Sequence, residues 1–166
     1  MNTSKITETS TPESPQIIYD FLTTHHTGVL ATSAADGKPY AAVIYFMATD
    51  DFTILFGTKT KTRKYDDITK TGFATLVVYD ESAQITSVIE GKAEPTDDPD
   101  IVGKVIANME AQSAKIAGSH SPPITKLYAG DFVAMRLVPN TISAAIYMRP
   151  DNEGFDEFET ITFSDR

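Results

Sequence analysis

Hydrophobic positions along the chain change period several times, and each change marks an element. Ile17, Ile18, Phe21 and Leu22 recur at helical spacing, behind a Ser14-Pro15 pair that offers an N-cap and a proline at the first helical position. A helix is therefore expected over residues 15–26. Gly28 ends it and opens an extended stretch over 29–33. Ala35-Asp36-Gly37-Lys38-Pro39 reads as a turn, because Asp-Gly supplies the positive φ angles that a tight hairpin demands. Residues 40–48, dense in β-branched and aromatic side chains, form the return strand. Thr49-Asp50-Asp51 turns the chain again, into a third strand over 52–57.

The same reading places a short helix over 62–70 and strands over 73–79 and 84–94, with Gly91 marking a bulge or a close approach. The acidic run 97–100 caps a longer helix in which Ile101, Val102, Val105, Ile106 and Met109 keep the 3.6 period. A loop over 118–123 follows, then strands over 131–137, 141–148 and 158–163. Residues 1–13 are too poor in apolar side chains to offset their ordering entropy, so they read as a flexible N-terminal arm before a single domain, 14–166. Seven or eight strands joined by short connections, with two or three helices, predict a mainly β fold. An antiparallel β-barrel with a few helices fits this pattern; a βαβ sheet does not.

Composition narrows the function. The chain has 166 residues, no Cys, and 14 Lys and Arg against 23 Asp and Glu, a formal charge of −9. Without Cys there is no disulfide, iron–sulfur cluster, thiolate zinc site or cysteine nucleophile. A net anion of this size is a poor general binder of nucleic acid or anionic membrane, so neither is an expected partner. No apolar run is long enough to span a bilayer and the N-terminus lacks a signal sequence, so a cytoplasmic location is expected.

The cations are unevenly spread. Only Lys5 and Lys38 precede residue 59, after which Lys59, Lys61, Arg63, Lys64 and Lys70 fall within twelve residues. Thr58, Thr60 and Thr62 interleave them at a strand-to-helix junction. Hydroxyls, a planar guanidinium and free N–H groups at a helix start suit a phosphate monoester, against the plainer reading of a solvated basic helix start. The pattern is not a Walker A loop. His25 and His26 read as positive charge at a helix end, and His120 has no second ligand nearby in sequence, so no metal is expected. The acidic segment 151–159 reads as a solvated surface.

The order of these features resembles the pyridoxamine 5′-phosphate oxidase-like, FMN-binding split-barrel family. The likeness runs from Thr27-Gly28-Val29-Leu30-Ala31-Thr32 through Asp36-Gly37-Lys38-Pro39 and Ala42-Val43-Ile44-Tyr45-Phe46. It continues in Ile54-Leu55-Phe56-Gly57-Thr58, Thr62-Arg63-Lys64, Ala74-Thr75-Leu76-Val77-Val78-Tyr79-Asp80 and Glu90-Gly91-Lys92-Ala93-Glu94. Lys126-Leu127-Tyr128-Ala129-Gly130-Asp131-Phe132 and Arg136-Leu137-Val138-Pro139 complete it, over about residues 15–148.

This resemblance implies a split antiparallel β-barrel of the FMN-binding type and a homodimer with the cofactor at the subunit interface. It assigns phosphate contacts to Thr62, Arg63 and Lys64, with Thr58 as a further contact and Lys59 beside them. Backbone groups of Val43, Ile44 and Tyr45 would address the isoalloxazine ring, and the position of the family's cofactor-binding Gln falls at Thr86. The oxidases proper carry Arg and Lys on the second strand, where this chain has Ile44-Tyr45-Phe46-Met47, so vitamin B6 oxidation is not the expected reaction. The function implied is an FMN-binding flavoprotein, an oxidoreductase acting on a small molecule. The flavin itself would carry the redox chemistry, so no side chain is assigned a catalytic role. Two alternatives stay open: a non-catalytic flavin- or haem-binding or storage protein, and a deazaflavin-dependent reductase.

Overall fold

The structure, a computed structural model, describes residues 1–116, 131–147 and 158–164. Its elements in chain order are β1 (Ile6–Thr9), α1 (Ser14–Thr24), β2 (Thr27–Ser33), β3 (Pro39–Ala48), β4 (Ile54–Lys59) and α2 (Arg63–Thr71). After these come β5 (Phe73–Asp80), β6 (Ile85–Thr96), α3 (Pro99–Ile116), β7 (Phe132–Ile146) and β8 (Phe158–Phe163). All strand pairings are antiparallel. The order β7-β4-β3-β2-β5-β6 closes on itself through a β6–β7 ladder, while β8 and then β1 extend from β7. This is the antiparallel barrel with a few helices that the residue pattern predicts, in the split form that the family resemblance implies.

Alternation decides what fills the barrel. Leu30, Ile44, Phe46, Phe56, Leu76, Val78, Ile89, Leu137 and Ile142 point inward and are buried, while their strand neighbours face out. Helix α1 adds Ile18 and Leu22 to this core. Its first turn differs from the expected cap: Glu13 stands at the N-cap, and buried Ser14 turns its Oγ back to accept from the Thr11 N–H at 2.9 Å. Helix α3 lies outside the barrel, where Val105 and Met109 pack on Leu55 and Ala134 of β4 and β7.

Four local expectations are revised. The arm is not wholly free, since Ile6–Thr9 pair with β8. Ser10 Oγ and Thr11 Oγ1 each donate to Glu159 Oε2 at 3.1 Å, joined by the Ser14 hydroxyl. Glu159, 1% exposed, is therefore no part of a solvated surface; the hydroxyl-rich composition of the arm supplies the donors a buried carboxylate requires. Phe52 belongs to a turn, with φ 66° and its ring edge-on to Tyr19 and Phe163, because those contacts hold it in the core. Finally, the two strands expected on either side of Pro139 are one, β7.

Pro139 is tolerated where β7 changes neighbours, from β4 before it to β8 after it. The ladder with β6 slips at the same place: Gly91 opposes Pro139 and Glu90 opposes Thr141, which is the bulge expected at Gly91. A Cβ on Gly91 would lie 2.0 Å from the Val138 carbonyl oxygen, so only glycine permits this approach. Gly37 has φ 84° in the turn between β2 and β3, as the Asp-Gly reading requires. The loop expected over 118–123, with His120, lies outside the described residues, as does most of the 151–159 segment.

Candidate functional site

The site begins where two strands part. β3 and β4 pair only through Phe46↔Phe56, Met47↔Leu55 and Ala48↔Ile54. Beyond that point β3 stays on β2 and β4 stays on β7. Phe46 gives its N–H to the His26 carbonyl on the β2 side at 2.9 Å. By strand alternation the N–H and C=O of Val43 and Tyr45 point the other way, into the split, where β4 offers no ladder partner among the described residues. The side chains divide as alternation requires: Ile44 is buried in the core, Val43 is 70% exposed, and Tyr45 is half-buried on the outer face.

The basic junction closes one end of the split. Thr58, buried at the end of β4, has its Oγ1 3.0 Å from that of Thr62. Thr62 is the N-cap of α2, but its hydroxyl donates to the Lys59 carbonyl at 2.8 Å and no side chain caps the helix. The first-turn N–H groups of α2 are left directed outward. Arg63 donates to the Lys38 and Pro39 carbonyls at 3.3 Å each, which carries the guanidinium to the start of β3, with its carbon 5.0 Å from the Tyr40 ring centroid. Its Nε stands 3.6 Å from Asp67, a buried carboxylate that also accepts from the Thr32 hydroxyl at 2.9 Å.

Lys64 is half-buried, and burial lowers its pKa from the ordinary lysine value. No carboxylate pairs with it among the described residues. Lys61 is committed elsewhere, 2.9 Å from Asp131, which raises its pKa. The structure thus brings Thr58, Lys59, Thr62, Arg63 and Lys64 together at one corner. Val43 lies four residues along β3 from the carbonyl that Arg63 holds, about 13 Å away. Thr86 is not brought there within one chain. It lies on β6, opposite Tyr79 of β5 and Ala145 of β7, and so on neither strand that borders the split.

Asp67 and Tyr40 orient Arg63 and were not expected. The signal for Asp67 was its place four residues after Arg63 on a short helix. Asn108 was also missed: from α3 it donates to the Phe46 carbonyl at 3.1 Å, where the strands separate, and it accepts from buried Gln112 at 3.2 Å. The signal there was a pair of amides at i, i+4 inside an otherwise apolar stripe. His25 caps the end of α1, with Nδ1 2.7 Å from the Phe21 carbonyl and Nε2 3.1 Å from Asp80. Among the described residues, no group of three or more His, Cys, Asp or Glu is placed to hold a metal, and no helix is long and apolar enough to cross a membrane.

The sequence profile of the pyridoxamine 5′-phosphate oxidase family matches residues 15–145, and the chain belongs to that family. No curated protein matches it. Among solved structures it is similar to General Stress Protein 26 of Bacillus anthracis, with 20% identity, 80% of this chain and 93% of that one covered, and a TM-score of 0.60. It is also similar to a pyridoxamine 5′-phosphate oxidase-related, FMN-binding protein of Nostoc punctiforme, with 18% identity, 93% and 98% covered, and a TM-score of 0.58. HutZ, the haem storage protein of Vibrio cholerae, matches at 21% identity over 75% of this chain and 88% of that one, with a TM-score of 0.58. At these identities the likeness concerns the fold.

Proposed function

We propose that the protein is a homodimeric flavoprotein that holds flavin mononucleotide in the β3–β4 split and acts as an oxidoreductase on a small molecule. One observation carries this reading. A single opening of the barrel joins an uncapped helix start to a strand edge that has lost its partner. Arg63, Lys64 and the first-turn N–H groups suit a phosphate monoester. The donors and acceptors of Val43 and Tyr45 suit the polar edge of an isoalloxazine, within reach of an extended ribityl phosphate. When bound, flavin supplies the redox chemistry, and the part of this chain is to bind it, orient it and shield it from water.

The homodimer is supported by the outer face of the same strands. Val43, Val29, Val77 and Val88 stand in register across β3, β2, β5 and β6, with Val43 70% and Val29 41% exposed. Exposed Tyr79 and half-buried Thr86, directly paired, continue that face. Pairing two copies across it would carry the partner subunit's Thr86 toward the split. Haem storage, named for the Vibrio cholerae neighbour, has less support, because His25 engages both ring nitrogens and Nδ1 of His26 is buried without a partner among the described residues. A deazaflavin with a more anionic tail has less as well, since Asp131 already occupies Lys61.

Parallel titrations with FMN and riboflavin, followed by fluorescence quenching, test the proposal. FMN is expected to bind roughly tenfold or more tightly than riboflavin, the scale of a charge-assisted phosphate contact. Lys64→Met is expected to reduce that preference and leave riboflavin binding unchanged. Equal affinities for the two flavins would overturn the phosphate site. Bleaching of the bound flavin by NADH or NADPH separates an oxidoreductase from a storage protein.

A further inference from the structure

An open cleft of about 540 Å³ lies on the outer face of β4, β7 and β6, at the opposite end of β4 from Thr58. Its floor is apolar: Leu55, 2% exposed, with half-buried Val138 and, from the first turns of α3, Ile101. Leu55, Arg136 and Glu94 form one row across the three strands. Lys104 of α3 stands on one side of the opening and Lys5 of the N-terminal arm on another. The arm is fixed there, because the Lys5 carbonyl accepts from the Ser164 N–H at 3.0 Å.

The charges in this cleft do not cancel group by group. Lys5, Lys92, Lys104 and Arg136 share it with Asp50, Asp51 and Glu94. Glu94 is taken by Arg136, whose Nε donates to it at 2.7 Å. Asp51 accepts from the Thr49 hydroxyl at 2.5 Å and the Thr53 N–H at 3.3 Å. Lys5 and Lys104 have no carboxylate partner among the described residues. Four cations against three carboxylates leave this cleft with a formal charge of +1 over an apolar floor, in a chain of net charge −9, and its volume is within the size range of small-molecule sites.

We propose that this cleft is a second small-molecule site, separate from the β3–β4 split, that takes a small organic anion. The apolar body of the ligand rests on Leu55, Ile101 and Val138, and its carboxylate or phosphate group sits between Lys5 and Lys104. A carboxylate or phosphate on an aromatic ring meets both demands: the ring covers the floor and the charge meets the two ammonium groups. The site is independent of the flavin reading, since it shares no residue with it.

The test is an amide ¹H–¹⁵N titration of the full chain using benzoate, phenyl phosphate and neutral benzyl alcohol. Saturable shifts are expected at Leu55, Lys104 and Arg136 with one or both anions, and the stronger anion identifies the head group. Lys5→Gln with Lys104→Gln, both exposed positions, is expected to weaken that binding roughly tenfold or more. The proposal is overturned if no anion gives saturable shifts at these amides. It is equally overturned if the double variant binds as well as the parent, or if benzyl alcohol binds as tightly as the anions.

Discussion

At the scale of the residue, Lys64 and His26 are both held partly out of water, and they respond to pH in different ways. Burial lowers the Lys64 pKa, and a dianionic phosphate is the partner that would restore the charged form. As pH rises toward and past the lowered value, binding must return a proton to Lys64. FMN affinity is therefore expected to fall between neutral pH and the ordinary lysine value of 10.5, with proton uptake measurable by calorimetry in buffers of different ionisation enthalpy. Lys64→Met should remove the slope, and an affinity without proton uptake would place the phosphate elsewhere. The His26 pKa is lowered first by burial, then by Lys115 and by His25. The unfolded chain then takes up the proton first: stability is full above the ordinary value of 6.5 and erodes as pH falls from there toward the lowered folded value. Urea unfolding near neutral pH and at about pH 5 should show this loss, and His26→Gln should reduce it. An equal loss in the variant would assign the proton to another group.

Elements were legible in the sequence where periodicity is sustained and obscure where a distant partner decides. The amphipathic face of α1, the strand β3 and the bulge at Gly91 all follow from spacing or from a glycine with one physical use. The joining of β7 through Pro139 does not, because the reason a proline fits there is a change of neighbours from β4 to β8. The basic junction was readable because its residues are contiguous, whereas Asp67, Tyr40 and Asn108 enter only through tertiary contact. The arm is the sharpest case. Its Ser and Thr residues read as disorder, yet Ser10, Thr11 and Ser14 all meet Glu159, which lies about 150 positions later in the chain. Glu159→Ala would leave those hydroxyls without their acceptor. It is expected to cost about 2–3 kcal/mol of unfolding free energy, the scale of hydrogen bonds to a charged group. Amide exchange over residues 6–14 should accelerate in the variant. Parent exchange there as fast as in an unstructured peptide would refute the tether.

At the scale of the whole molecule, the closed barrel gives each of its six strands a neighbour on both sides and leaves one face to be accounted for. Val43, Val29, Val77 and Val88 make a cross-strand row that a solvated sheet would fill with polar side chains. That row borders the split, because Val43 belongs to both, so covering the face and completing the cofactor site would be a single event. The variant that tests this must spare β3 itself, and Val29→Asp does so: it places a charge on the face while the side chain stays 41% exposed in the single chain. Its expected effect is a shift from dimer to monomer in sedimentation velocity, with the circular dichroism of the barrel retained. FMN affinity should fall roughly tenfold or more with that shift, the loss expected when part of a site leaves with the partner. A parent protein that sediments as a monomer at all concentrations would refute the dimer. A Val29→Asp monomer that binds FMN as tightly as the parent would keep the dimer but place the whole cofactor site within one chain, leaving Thr86 without a role in it.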